Sequence, residues 1–568
     1  MIQKQENGKQ ILGQAVLICF CVYFLMCDIL VSMIPGKYSP DFGNLERLIC
    51  YSFLGLILAS IPNASRKKSL SFLAFFWVWM IAIRLAIQQL TEAMTVEILR
   101  VGIMCAVFYL TSTLDAKGKQ HLADVFCGIL FPVLTVLAIL GLLVSTNVIP
   151  SFRIGDAEIL LVVHPYGSGT AIYVSFLGIN KNVTATWFMV ALWLAVGQFF
   201  RTRRKWLRVL LGLFAVLMYA TMSLQYCRFV NIACAVGAGM LAVLLVKDRL
   251  KIPKTAVRKM AVGLIAVVVM FGCYKGCNLW GELLNQFAGP DMLKNAHMIG
   301  YSSIQEEQAE EVEAETVAET EAEPVAETEA EPAAETGAEP VAETEAEPAA
   351  ETEAEPVAET EAEPATEAET EPVTETEAEP ETEPETQPTT ESNAGADELS
   401  KLIGDATGVG DGRNFFKDLV SLTGRTDIWA AALRVIFRRK KFMLLGQPVG
   451  DIGMNMIYYG DYDILKGHTH NMFIQVLAQS GIIGFGLMVA FTYMQVRAAI
   501  RLFFSREQPL SRKIYGILLT CLLLEGVGES LLLLQFAPLA LMFTAGMLAD
   551  QEEPTDFRKI FRFRRKKA

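Results

Sequence analysis

Long apolar segments recur along the whole chain, and they restrict its fold more than any other feature. A helix that crosses the hydrocarbon core of a bilayer needs roughly 20 predominantly apolar residues. Because lipid offers no hydrogen bonds to the backbone, such segments are expected to be helical. The sequence therefore predicts an all-α polytopic membrane protein with about twelve transmembrane helices, at 11–34, 47–62, 69–88, 97–114, 122–145, 184–200, 206–225, 229–246, 258–277, 470–497, 512–530 and 531–549.

Basic residues concentrate in the short connections between these segments. Lys and Arg are enriched in the cytoplasmic loops of membrane proteins. With the N-terminus inside, twelve spans place all of the clusters on the cytoplasmic side, so both termini are predicted to lie inside a cell membrane. An extra span at 160–180 would move the basic cluster Arg201–Lys205 to the outer side of the membrane, so this β-like stretch is predicted to be extracytoplasmic. The clusters are Arg66–Lys68, Lys117–Lys119, Arg201–Lys205, Lys247–Lys259, Arg501–Lys513 and Arg558–Lys567.

This topology divides the chain into four regions. Residues 1–277 hold the first nine spans, with an outer loop at about 146–183. Residues 278–469 form a large extracytoplasmic loop between the ninth and tenth spans. The last three spans occupy 470–549, and 550–568 form a basic cytoplasmic tail.

The large loop contains an acidic repeat at 306–391, with 33 Glu and neither Lys nor Arg. Without it, 29 acidic and 49 basic residues remain, so the rest of the chain is basic although the whole carries a net charge of −13. Proline recurs every eight residues from Pro324 to Pro380. Since the repeat has few apolar residues and its charges repel, it is predicted to be a disordered spacer.

A second part of the large loop predicts ordered structure. Residues from Thr423 to about Arg439 have the spacing of an amphipathic helix, with Thr426 or Asp427 as the N-cap. Its apolar face is predicted to contain Trp429, Leu433 and Ile436.

Titratable side chains collect on the predicted outer side of the membrane. His470 and Asn471 directly precede a long apolar run, and charges near or within spans commonly face a cavity or a partner. An imidazole can exchange a proton with a substrate, and arginines bind phosphate oxygens. Each residue alone has a simpler interpretation, as an interface histidine or a lipid anchor, and His468 is a competing base. The charged residues of this group are Arg84, Arg153, Arg228, Arg425, His470, Glu525 and Glu529.

Other motifs are weaker. The basic run Arg438–Lys441 predicts either a contact with lipid headgroups or a rim that attracts anions. Asp461-Tyr-Asp463 resembles the metal-binding Asp-x-Asp of nucleotide-sugar transferases. It is predicted to lie on the outer side of the membrane, where nucleotide sugars are not expected. No phosphate-binding loop, zinc-protease motif or nucleophile elbow occurs. We therefore expect no cofactor, no metal and no nucleic-acid partner.

Three motifs together resemble the O-antigen ligase and O-antigen polymerase (Wzy-C type) family of bacterial membrane glycosyltransferases. They are Arg228 at the end of a span, Thr423-Gly424-Arg425 followed by Trp429, and His470-Asn471 followed by Gly481 and Gly484. Two features depart from the family pattern. A serine–arginine pair is loosened to Ser223 with Arg228, and a His-Pro-Asn element is replaced by Ile179-Asn180-Lys181-Asn182.

The resemblance implies a GT-C-like fold in the bacterial cytoplasmic membrane. It implies transfer of a glycan from an undecaprenyl-diphosphate carrier to a hydroxyl of a glycan, lipid or protein acceptor. His470, Arg228 and Arg425 would be catalytic, and Asn471, Arg153, Arg84 and Glu529 would bind substrate. The alternatives are a twelve-helix transporter or flippase for a lipid-linked glycan, and an adhesive role of the acidic repeat.

Overall fold

The computed structural model describes Ala15 and residues 68–86, 92–146, 148–154, 157–166, 169–177, 180–225, 227–247, 255–294, 297–298, 425–460, 468–530 and 536–549. The chain divides into two units, and all described residues belong to the unit made of Met1–Ser303 and Leu402–Ala568. Four predicted features lie outside the described residues: the spans at 11–34 and 47–62, the repeat at 306–391, Asp461–Asp463, and the tail at 550–568.

The described part is mostly helical, with helix in 85% of its residues. Each of the other ten predicted spans contains a helix. Among the described residues, seven helices are long and apolar enough to cross a membrane, which supports a membrane-embedded protein. The ten helices are α1 (Lys68–Ala86), α2 (Glu92–Thr113), α3 (Ala116–Ser145), α4 (Lys181–Arg201), α5 (Lys205–Ser223), α6 (Arg228–Val246), α7 (Thr255–Lys294), α11 (Met472–Phe504), α12 (Leu510–Gly528) and α13 (Phe536–Leu548).

A small sheet, with three of its strands between α3 and α4, accompanies the predominantly helical fold. Strands β1 (Ser151–Ile154), β2 (Ala157–Tyr166) and β3 (Gly169–Phe176) pair antiparallel, and β4 (His297–Met298) adds to β2 in parallel. The β-like stretch at 160–180 thus forms strands, because its branched and aromatic side chains suit a pleated, half-buried surface. Phe176 packs so closely on Gly141 of α3 that a side chain there would overlap its ring.

Small residues bring three helices together at the centre of the bundle. A Cβ on Gly237 of α6 would lie 2.4 Å from the Trp193 ring of α4 and 2.7 Å from Cys521 Sγ of α12. Gly528 of α12 packs directly against the ring of Phe229 of α6, which leaves no room for a side chain at this position. Close approach through glycine is typical of helix packing in membranes. It fixes the ends of α6 and α12 beside each other.

Contacts between helices define two ends of this bundle. At the first, called the basic end, Lys119 Nζ donates to the carbonyl of Gly546 at 2.9 Å, and Arg201 pairs with Asp124. At the other, called the site end, Asn182 donates to Glu529 at 2.6 Å and Asn471 donates to Val527 at 2.9 Å. Lys119 and Arg201, which belong to two of the basic clusters, therefore lie at the opposite end of the helices from Glu529 and Asn471.

Helix α11 is interrupted at Gly481, whose φ is +64°. The carbonyls at the break are bonded by other elements: Gln447 N donates to Ala478 at 2.8 Å and Trp79 Nε1 donates to Ser480 at 2.8 Å. Arg84 also donates to the carbonyl of Gln479 at 3.1 Å. Such partners are needed because an unbonded backbone group in lipid is costly. The sequence had predicted a continuous helix here.

Three shorter helices of the large loop pack on the first part of α11. They are α8 (Arg425–Arg438), α9 (Lys440–Leu445) and α10 (Val449–Gly460), and they share a buried cluster with Ala478. The predicted amphipathic helix is confirmed as α8, although it begins at Arg425. Of the three residues predicted for its apolar face, Ile436 is buried in the cluster, whereas Trp429 and Leu433 are only partly buried at its edge. The buried face consists mainly of Ile428, Ala431, Ala432 and Val435.

Replacing Gly481 by alanine is expected to destabilise the protein. A Cβ at this position would lie 2.2 Å from the carbonyl oxygen of Leu444, and the backbone conformation, with φ +64° and ψ −173°, alone costs roughly 1–3 kcal/mol for a residue with a side chain. We expect a thermal unfolding temperature several degrees lower in detergent, measured by intrinsic fluorescence. Gly486→Ala is the control, because no atom lies within 4 Å of a Cβ there. Equal unfolding temperatures for the two variants would contradict the described break.

Candidate functional site

Glu529 is the centre of a cluster built from four separate parts of the chain. It ends α12 and is only 2% exposed. Its Oε1 accepts hydrogen bonds from Asn182 Nδ2 at 2.6 Å and from Arg425 Nη2 at 2.5 Å. Its Oε2 lies 3.3 Å from His470 Nδ1. The structure thus brings together three residues predicted for the site and one, Asn182, to which no role had been assigned.

Arg425 reaches this carboxylate from the first residue of α8. Its guanidinium also donates to the carbonyl of Gly528 and lies over the ring of Phe229, 4.8 Å from the ring centre. A planar, permanently charged group suits this combination of carboxylate and aromatic contacts. The large loop is therefore attached to the bundle at the cluster itself, and Arg425 holds Glu529 in place.

His470 has an unusual backbone and an accessible ring. Its φ is +48°, a conformation that non-glycine residues rarely adopt and that often occurs at functional sites. Its side chain is 25% exposed, and its backbone N–H donates to His468 Nδ1 at 3.3 Å. In the tautomer with the proton on Nδ1, His470 donates a hydrogen bond to Glu529, and its Nε2 is an acceptor. This is the arrangement of a histidine base oriented by a carboxylate.

Asn471 fixes the position of His470. Its Oδ1 accepts from the backbone N–H groups of Phe473 and Ile474, at 2.9 and 3.0 Å, which makes it the N-cap of α11. Its Nδ2 donates to Val527, and its backbone N–H donates to Ser530 Oγ at 3.2 Å. These contacts tie the start of α11 to the end of α12. Its predicted contact with substrate stays a prediction beside this structural role.

A second polar layer lies beneath Glu529. Glu525, one turn earlier on α12, is fully buried and accepts a hydrogen bond from Thr186 of α4. Thr184 donates to Gln225 at 3.0 Å. No role was predicted for these threonines, although polar residues at positions 182, 184 and 186 of an otherwise apolar span are a visible signal in the sequence.

The other predicted arginines occupy different positions. Arg228 begins α6, directly before the Phe229 ring that lies against Arg425. Arg153 is exposed on β1, opposite Glu158 in the register of β2. Arg84 is fully buried and donates to the backbone carbonyls of Gln447 and Gln479, so its hydrogen bonds stabilise the break in α11. The predicted substrate contacts of Arg153 and Arg84 therefore remain predictions, with a structural role evident for Arg84.

The basic run of the loop is exposed but partly engaged. Arg438 donates to the carbonyl of Tyr459 at 3.0 Å, and the Arg439 guanidinium lies 4.1 Å from the centre of the Tyr459 ring. Lys440 and Lys441 are exposed at the start of α9. Among the described residues, His, Cys, Asp and Glu form no group that could hold a metal ion.

Comparisons with known proteins add no assignment to this geometry. No protein-family model, curated protein or solved structure matches the chain.

Proposed function

We propose that the protein is a membrane glycosyltransferase that moves a glycan from an undecaprenyl-diphosphate carrier to an acceptor hydroxyl. The observation that carries the proposal is the contact of Glu529 with both His470 and Arg425 at the site end of the bundle. It combines a candidate base, its orienting carboxylate and a cation in one place. The motif resemblance supplies the substrate class, and the order of Arg228, Arg425 and His470 along the chain supports it.

The proposed reaction needs only groups of this kind. Nε2 of His470 accepts the proton of the acceptor hydroxyl as its oxygen bonds to the anomeric carbon of the donor sugar. The bond between that carbon and the phosphate oxygen breaks, and the diphosphate leaves with the electron pair. Arg228 and Arg425 stabilise its charge. Glu529 holds His470 in the required tautomer and stabilises the imidazolium that forms. Since the leaving group is already a diphosphate, no cofactor is required.

We place the site on the extracytoplasmic side. The basic end of the bundle contains Lys119, Arg201 and Lys513, and Lys and Arg favour the cytoplasmic side. The site end is the opposite one. A lipid-linked glycan would therefore meet the cluster on the outer leaflet of the bacterial cytoplasmic membrane, where its acceptor would also lie.

Reconstitution with a defined lipid-linked oligosaccharide tests the proposal. The full-length protein in liposomes is expected to form a new glycosidic bond and release undecaprenyl diphosphate in equal amounts, as measured by mass spectrometry. Activity should be unchanged by a chelator of divalent cations, because the proposed reaction relies on protein side chains and a diphosphate leaving group. Movement of the glycan across the bilayer without bond formation would replace this proposal by the transporter alternative. Loss of activity with the chelator would contradict the metal-independent reaction.

The acceptor decides between a polymerase and a ligase. A polymerase transfers to another lipid-linked glycan, so its loss shortens the chains seen on a gel. A ligase transfers to a lipid core, a protein or another polymer, so its loss leaves long lipid-linked chains unattached. Gel analysis of surface glycan from cells lacking the protein distinguishes the two.

A further inference from the structure

The start of α9 and the end of α8 form an exposed edge that combines charge with apolar side chains. Lys440 and Lys441 are exposed, as are Arg438 and Arg439. Two apolar side chains flank this run: Phe437 is 60% exposed and Leu444 is 48% exposed. These six residues are called the basic edge. Such a combination is typical of helices that lie at a membrane interface.

The exposed residues of α11 show where the bilayer begins. Apolar side chains are exposed in a helical stripe from Ile482 and Ile483 through Val489 and Tyr493 to Phe504. From Ile482 to Phe504 the helix rises about 34 Å, close to the thickness of a hydrocarbon core. No residue from Met472 to Ser480 is exposed. The lipid-facing surface of α11 therefore starts directly after the break at Gly481.

Helix α1 also has exposed apolar side chains that approach α9. Its exposed large apolar residues are Phe75, Val78 and Leu85. Next to Leu85, Arg84 donates to the carbonyl of Gln447, just after α9. On α11, Gly481 lies against the carbonyl of Leu444, which is in the last turn of α9. Exposed apolar side chains of both helices thus lie near the residues at which α9 ends.

From this arrangement we propose that the basic edge docks on anionic phospholipid headgroups at the site end of the bundle. The lysines contact lipid phosphate, and Phe437 and Leu444 enter the apolar region beside it. The charge complementarity is direct, since each basic residue near an anionic membrane surface adds appreciable affinity. The surface is also continuous with the lipid-facing stripe of α11. The proposal concerns bilayer lipid and does not depend on the proposed transferase activity.

Lys440→Gln with Lys441→Gln is the test variant, because Arg438 and Arg439 also contact Tyr459. The full-length protein is exposed to equal mixtures of phosphatidylglycerol and phosphatidylcholine, and retained lipids are counted by native mass spectrometry. Wild type is expected to prefer phosphatidylglycerol, and the double variant to lose about tenfold or more of that preference. The charge-preserving pair Lys440→Arg with Lys441→Arg should retain it. Raising the salt concentration should weaken it in wild type.

A photoreactive phosphatidylglycerol locates the contact. In wild type the label is expected on the peptide that contains residues 437–445, and the glutamine pair should lose it. Unchanged labelling and retention in that pair would overturn the proposal. It would also be overturned if a soluble isoprenyl diphosphate displaced the lipid label from this peptide in wild type, because the edge would then bind a diphosphate substrate and not the bilayer.

Discussion

Replacing Glu529 by alanine is expected to lower glycan transfer by about 10³-fold or more. The carboxylate orients His470, and loss of the carboxylate that holds a catalytic histidine in its tautomer lowers kcat by about 10⁴-fold in serine proteases. It also neutralises Arg425, and removal of one partner of a buried charge pair typically lowers stability by about 3–5 kcal/mol. The variant thus loses both the base geometry and the attachment of α8 to the bundle. Transfer should be measured in the reconstituted system after normalisation for folded protein.

Two further variants separate these losses. Glu529→Gln retains the shape and one hydrogen-bond acceptor but removes the charge, so we expect better folding than for alanine and equally poor transfer. Glu507→Ala is the control, because Glu507 is exposed between α11 and α12 at the basic end. If Glu529→Gln transferred glycan at the wild-type rate, the carboxylate would have no part in the reaction.

Replacing His470 by asparagine is expected to reduce transfer by about 10²–10⁴-fold, the usual contribution of a general base. Asparagine tolerates the positive φ of this position and can still donate to Glu529, so the fold should be kept. Unlike imidazole, its side chain cannot accept a proton at neutral pH. Lipid-linked donor should accumulate in cells that carry this variant, which thin-layer chromatography of extracted lipids would measure.

Two histidine variants serve as comparisons. His121→Ala changes an exposed histidine on α3 and should leave transfer unchanged. His468→Ala removes the ring that lies 4.0 Å from the ring of His470, and a moderate loss is expected because His468 supports His470. A greater loss in His468→Ala than in His470→Asn would make His468 the base.

The helical spans could be predicted because length and apolar composition determine them. All ten predicted spans in the described part contain helices. The β hairpin of the first loop was only suggested, since short apolar runs do not distinguish strands from helices. The break at Gly481 could not be predicted, because a Gly-x-x-Gly sequence equally suits an unbroken, closely packed helix.

The residues of the site could be predicted from the sequence better than the contacts between them. His470, Arg425 and Glu529 were expected on the same side, but Glu529 was expected to bind substrate. The contacts of Glu529 with Arg425 and Asn182 depend on how α4, α8 and α12 meet, and periodicity within one helix carries no such information. Arg84 was assigned to substrate because an arginine in a span suggests a ligand. Backbone carbonyls at the break in α11 also need hydrogen-bond donors, and they are equally good partners for the Arg84 guanidinium.

The break in α11 also determines how the site responds to the bilayer. The short part before Gly481 is fastened at its start by Asn471 and at its end by Arg84, Trp79 and Gln447. A helix that does not match the thickness of its membrane adjusts by tilting. In α11 the long part after Gly481 can tilt about the glycine while the short part remains in place. Differences in membrane thickness would then be absorbed below the site, and His470 would keep its position beside Glu529.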